Sequence, residues 1–338
     1  MRLPYFCIFA KSVDDTEHCF AIMRGMKLNQ GNLLAHSEQT LSLLKYAGWL
    51  ACSLALHLNA QNFAGDMALS KVLIEGENWH RVGSGFGFTD GACTDESGRF
   101  YFSGRQDGKN SIFRINQYDE IEIFIEDAPG VSGLAFGPDG RLFGCRWGKN
   151  DVFVFDENRQ IKILSTDTHA NDLVISQKGE IFYTAENGIQ FLDAYGKKSR
   201  ITDAVSGPNG ICFSPDMGVL TVSEYTGDKV WAFAVVPGKG ATHGDTYMTM
   251  RSPSDETDCR GDGMTVDTEG RYYVTTAIGL QMFDATGRIS GVIAKPSKAG
   301  MSNVAFSGPG RHFLYATCGD AIFKRKTKAK GVWHYKTH

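Results

Sequence analysis

The chain has 338 residues, enough for one large domain or two ordinary ones. Its 35 basic and 38 acidic residues leave a net charge of −3, so electrostatics give no case for nucleic acid or an anionic membrane as partner. With 39 Gly, 22 Phe and 12 Tyr against only 9 Pro, the composition is that of short aromatic strands joined by tight turns, an all-β protein.

Residues 1–65 lack any strand-turn rhythm and read as an N-terminal extension ahead of a single domain over 66–338. Within the extension, Lys45 precedes an apolar run from Tyr46 to Leu58, and small residues follow up to Ala60. That is the layout of a secretory signal with cleavage near Ala60, and it predicts a periplasmic or secreted protein. The competing reading is a short surface helix in a cytoplasmic protein. The apolar run is too short for a stable membrane span.

The stretch from Ser70 to Val82, "SKVLIEGENWHRV", reads as one isolated outer strand. Six strand-turn-strand units follow: "DGACTDESGRFYFSG" from Asp90, "SGLAFGPDGRLFGCR" from Ser132, "NDLVISQKGEIFYTA" from Asn171, "NGICFSPDMGVLTVSE" from Asn209, "DGMTVDTEGRYYVTT" from Asp262 and "SNVAFSGPGRHFLYATCG" from Ser302. Their lead residues are 42, 39, 38, 53 and 40 positions apart, and most units run on into a third strand such as "NDVFVFD" or "GLQMFD". Short strands repeating every ~40 to 45 residues make the blade of a β-propeller, whose sheets bury their faces only by stacking on each other. The sixth unit runs out after three strands, so the Ser70–Val82 strand is expected to complete it and close the ring without an open sheet edge. The prediction is a six-bladed propeller.

Of the eight Cys, none stands in a C-x-x-C pair, and the five beyond residue 65 read as small buried hydrophobes. The basic run Lys324–Lys330 reads as a solvated surface hairpin. Residues 237–261, the longest stretch between repeats, are either a rim over a pocket or plain loop. Arg146 and Glu224 follow second strands and either border the channel mouth or lie on the surface. There is no G-x-S-x-G elbow and no H-E-x-x-H, and "GSGFGF" is followed by no helix to make a phosphate cradle.

Each blade's first strand lies along the central channel, so the lead residues should ring the axis. Asp90, Asn171, Asn209 and Asp262 would supply two carboxylates and two amide oxygens there. Oxygen-only donors select a hard divalent cation; Ca²⁺ accepts such mixed ligands best, with Mg²⁺, Mn²⁺ or Zn²⁺ as competitors. Taken singly, each of the four is an ordinary turn residue; their common repeat position argues for a site.

With these motifs in place, "PNGICFSPD", "GDGMTVDTEGRYYV", "NDLVISQKGEIFYT" and "SNVAFSGPGRHFLYATCGD", the sequence resembles the SMP-30/gluconolactonase/luciferin-regenerating-enzyme family of six-bladed propellers over about residues 85–331. The resemblance implies a divalent metal in the channel and hydrolysis of a small-molecule lactone. It places Asn171, Asn209 and Asp262 at metal-ligand positions, with Asp262 also the candidate general base. Asp90 stands where the family typically has Glu, and His169 where its sugar-lactone hydrolases often have Arg; His169 is a second candidate for proton transfer. A non-catalytic calcium-binding propeller and a propeller enzyme of the strictosidine-synthase type are the alternatives.

Overall fold

A computed structural model describes residues 60–62, 68–254 and 256–335; the segment read as a secretory signal lies outside the described residues up to its last position, Ala60. The described chain forms 25 strands, β1 to β25, in six antiparallel sheets. Five sheets have four strands: β3–β6 (90–125), β7–β10 (131–165), β11–β14 (170–202), β15–β18 (208–249), and β23–β25 (301–326) joined by β2 (His80–Ser84). The remaining sheet is β19–β22 (264–294), with β1 (Ala60–Asn62) added on its outer edge. The fold is a six-bladed β-propeller.

The ring closes as the repeat count requires, but with shifted bounds. The strand that completes the last blade starts at His80 and pairs antiparallel with β25 (Ala321–Lys326), whereas Leu69–Lys71 is a 3₁₀ turn and Leu73 makes a single bridge to Thr327. Leu69, Val72 and Leu73 are apolar enough to look like strand, and they are buried between the fifth and sixth blades instead.

Six separate clusters of buried apolar side chains fill the six gaps between blades. Between the first and last blades, for example, Phe100 stacks on Tyr315 with ring centroids 4.8 Å apart. No single centre holds the molecule together; each sheet face is desolvated only by its neighbour. All five described cysteines are buried and free within this packing.

The basic run departs from its reading only in part: Lys326, Lys328 and Lys330 are exposed as expected, but Lys324–Lys326 is the end of β25 and the Arg325 side chain is buried. Arg146 and Glu224 are each engaged by partners in their own blade. Arg146 makes a two-pronged ion pair with Asp151 (2.8 and 2.6 Å). Glu224 accepts from the Trp231 indole N–H at 2.8 Å and from the Lys229 amide at 3.2 Å.

Candidate functional site

The six inner strands, β3 (Asp90–Thr94), β7 (Val131–Phe136), β11 (Ala170–Ile175), β15 (Pro208–Phe213), β19 (Met264–Val266) and β23 (Met301–Ser307), neighbour one another in a closed circle around the axis. In five of them the pairing register slips at the lead residue, between Asp90 and Cys93, Val131 and Gly133, Ala170 and Leu173, Pro208 and Ile211, and Met301 and Asn303. Such bulges break the alternation of the strand and re-aim side chains. The residue after the lead is Gly in four blades, because the next inner strand lies against it. A Cβ on Gly210 would sit 2.1 Å from the Asp262 carbonyl oxygen, and one on Gly133 2.6 Å from that of Asn171.

The blades are tied together at this level by a belt of hydroxyls. Ser103 Oγ donates to the Val131 carbonyl at 2.9 Å and Ser132 Oγ to that of Asn171 at 2.8 Å. Thr184 Oγ1 donates to Asn209 at 2.6 Å, Ser223 Oγ to Asp262 at 2.8 Å, Thr275 Oγ1 to Ser302 at 3.3 Å, and Ser302 Oγ to Thr89 at 2.6 Å. Each of the six steps around the ring carries one. The belt pins the backbone under the lead residues; it spends the side chains of Ser132 and Ser302 and leaves those of Asp90, Asn171, Asn209 and Asp262 for other partners.

Five polar side chains from five blades converge inside the belt. Asp90, Asp172 and Asp262 share one electrostatic neighbourhood, with Asp172 buried and Asp90 and Asp262 half-buried. Desolvation raises Asp90 to about 7, held back by hydrogen bonds from the Gly91 backbone and the Asn303 side chain. Asp172 is also pushed up to about 7, first by desolvation and then by the Asp90 charge, against hydrogen bonds from the Leu173 and Ile211 backbone and from Asn303. Asp262 is raised well above the usual carboxylate range by desolvation and by the charges of both other aspartates; hydrogen bonds from the Gly263 amide and the Asn209 side chain pull the other way. Asn209 Oδ1 is buried and has no hydrogen-bond partner among the described residues.

Of the predicted ligands, Asp90, Asn209 and Asp262 therefore meet. Asn171 lies in the β11 bulge, half-buried, with its carbonyl engaged by Ser132. Asp172 and Asn303 take part although the sequence reading passed over them. Strict alternation assigns the residue after the lead to the sheet interface, and only the bulge overturns that. The signal was present in the two places where the repeat shows Asp or Asn instead of Gly.

His169 precedes β11, with 44% of its side chain exposed. Its ring lies 5.3 Å from that of Trp147, its Nε2 3.8 Å from a Glu186 carboxylate oxygen, and its Nδ1 is buried without a described partner.

Below the ring, the channel is a narrow cavity of about 140 Å³ lined by the inner strands, Asp172 and Asn303 included, and closed by Val332–Tyr335. Tyr335 Oη reaches the Phe136 and Ile175 carbonyls at 2.8 and 2.9 Å, and His334 Nε2 the Ser214 carbonyl at 3.1 Å. Above the ring, a cleft of about 550 Å³ has Asp262 in its wall and Phe88, Tyr225, Pro253 and Arg260 around it. Part of the long inter-repeat stretch is strand, within β18 (Gly240–Thr249), and part is rim, through Pro253, Glu256 and Arg260.

The comparisons with known proteins agree with this architecture. Residues 161–320 match the family model described as SMP-30/Gluconolactonase/LRE-like region. The family resemblance read from the sequence is thereby shown. A gluconolactonase from Zymomonas mobilis is 23% identical over 231 residues, covering 60% of this chain and 65% of its own length. Among solved structures, a gluconolactonase from Xanthomonas campestris superposes with a TM-score of 0.68 at 20% identity, over 80% of this chain and 95% of that one. A calcium-binding protein, regucalcin, from Agrobacterium tumefaciens superposes with a TM-score of 0.63 at 16% identity, over 76% and 96% of the two chains. At these identities the structural likenesses establish the fold.

Proposed function

We propose that the protein is a metal-dependent hydrolase that opens a lactone at the axial end of the cleft. The observation that carries this reading is the convergence of three desolvated aspartates with the unpartnered Asn209 oxygen, one of them, Asp262, in the wall of an open cleft, in a chain similar to gluconolactonases. Desolvated carboxylates crowded in this way repel one another and hold protons that a cation would displace. Among the described residues, Asp, Glu, His and Cys alone make no group of three able to hold an ion. A cation here would therefore need amide oxygens, and Asn209 offers one.

The donor set fits a hard divalent cation, Ca²⁺ foremost, held by Asp90, Asn209 and Asp262 with Asn171 as the fourth candidate. When bound, the cation would polarise the lactone carbonyl and stabilise the charge that develops on its oxygen. The Asp262 carboxylate, directed by the Asn209 side chain and the Gly263 amide, takes a proton from the attacking water. His169, just before β11, has a buried Nδ1 without a described partner and is the second candidate to carry that proton. Ser223 holds the Asp262 backbone in place from the neighbouring blade. Export to the periplasm or medium rests on the Lys45–Ala60 segment, and N-terminal sequencing of the mature protein tests it.

The test of the catalytic assignment is Asp262→Ala: it abolishes lactone turnover and cation affinity together. Undiminished turnover in that variant overturns the assignment.

A further inference from the structure

The cleft above Asp262 carries a charge pattern that lactone opening does not require. Three cationic side chains line it, Arg260, Lys295 and Lys298, against one rim carboxylate, Glu256. Arg260 is committed to that carboxylate, its guanidinium 3.0 Å from Glu256 Oε2. The two lysines stand on the segment that follows β22 (Ile289–Ala294); Lys295 is half-buried and Lys298 exposed. Among the described residues no carboxylate pairs with either of them within 4.0 Å. With no described carboxylate paired to them, both bring positive charge to the cleft that Asp262 also lines.

Two large aromatic side chains add to the pattern. Phe88 is 64% exposed and Tyr225 41% exposed, and both line this cleft. Elsewhere the aromatic residues of the blades are mostly buried between sheets, so two exposed rings at one cleft leave apolar surface for a ring-shaped ligand to lie against. A volume of about 550 Å³ suits one small molecule.

We propose that the lactone this protein opens bears a second, ionised acid group, a carboxylate or a phosphate, which Lys295 and Lys298 receive at the cleft wall while the lactone carbonyl faces Asp262. This rests on the lactone-hydrolase reading above and narrows its substrate class. The lysines bind and orient; they have no part in the proton transfers. Ammonium groups receive either acid as point charges, so the site selects for charge and not for the geometry of one acid.

The test uses the full chain, loaded with Ca²⁺, and two parallel measurements. One compares kcat/KM for glucono-1,5-lactone with that for its 6-phosphate and its 6-carboxylate counterparts. The other measures, by calorimetry, binding of the open-chain acids, gluconate against the same acid with a 6-phosphate or 6-carboxylate. The charged forms are expected to be favoured at least tenfold in both, through KM and not kcat. The preference falls as salt is raised, and Lys295→Gln with Lys298→Gln reduces it to about onefold. Which acid gains more identifies the second group.

Equal binding and equal kcat/KM for charged and neutral forms would overturn the proposal and leave the hydrolase reading standing. A preference that persists in the double Gln variant would overturn it too, because the phosphate would then be held by the cation. If no lactone is opened, the hydrolase reading falls, and the calorimetry still decides whether the two lysines select an anion.

Discussion

Asp172 offers a prediction that runs against ordinary intuition about buried side chains. Its carboxyl is raised from an ordinary 3.8 to about 7 in the ion-free protein. A group whose pKa is higher in the folded state stabilises the fold fully below its unfolded value and loses that contribution as pH rises through the folded value. Across the 3.8–7 window the loss is roughly 4 kcal/mol, at ~1.4 kcal/mol per unit, of which about 2 to 3 fall between pH 5 and pH 8. Asp172→Asn removes the titration, and its Oδ1 can still accept the Leu173 amide that Asp172 accepts at 2.9 Å. In chelator-treated protein, the stability of Asp172→Asn relative to wild type, by urea unfolding, is expected to rise by about 2 to 3 kcal/mol from pH 5 to pH 8. Whatever fixed cost the amide carries cancels in that difference. A relative stability that is flat or falling over this interval would refute the claim that Asp172 is crowded by desolvation and by Asp90. The same variant should bind Ca²⁺ more weakly if Asp172 adds to the negative field at the ion.

Three further outcomes follow from the belt and the channel floor. Ser223→Ala leaves the Asp262 carbonyl without its donor and should cost about 1 to 3 kcal/mol in thermal or urea unfolding, with a fall in turnover because the Asp262 backbone is no longer pinned. Gly210→Ala drives a methyl to within 2.1 Å of the Asp262 carbonyl oxygen and should destabilise by about 3 kcal/mol or more; a well-folded, fully active variant would contradict the close approach of the two blades. Tyr335→Phe deletes the hydroxyl that spans two inner-strand carbonyls and should cost about 1 kcal/mol, with faster amide exchange at the floor of the channel.

Much of this was legible in the sequence because propeller blades are repeats, and a repeat shows which positions are equivalent before any contact is known. The spacing of Asp90, Ser132, Asn171, Asn209, Asp262 and Ser302 located the inner strands to within two residues. It also brought together Asp90, Asn209 and Asp262. What stayed hidden depended on backbone irregularity and on partners distant in sequence. The bulges that turn Asp172 and Asn303 toward the axis leave no periodic mark, since they interrupt the alternation by which a strand is recognised. Lys324–Lys330 looked like surface because its charge is visible in the sequence, whereas the burial of Arg325 depends on packing around β25. The hydroxyl belt was present in the sequence as Ser103, Thr184, Ser223 and Thr275 at matching second-strand positions. It could be overlooked because Ser and Thr are ordinary strand residues.

The most direct test of the central claim, that the axial aspartates and Asn209 hold a cation on which lactone opening depends, is ion content and lactone turnover measured on one sample before and after chelation. The account predicts about one equivalent of a divalent ion per chain, turnover lost with the ion, and turnover restored when Ca²⁺ is returned. Full turnover in protein shown by mass spectrometry to be ion-free would contradict it.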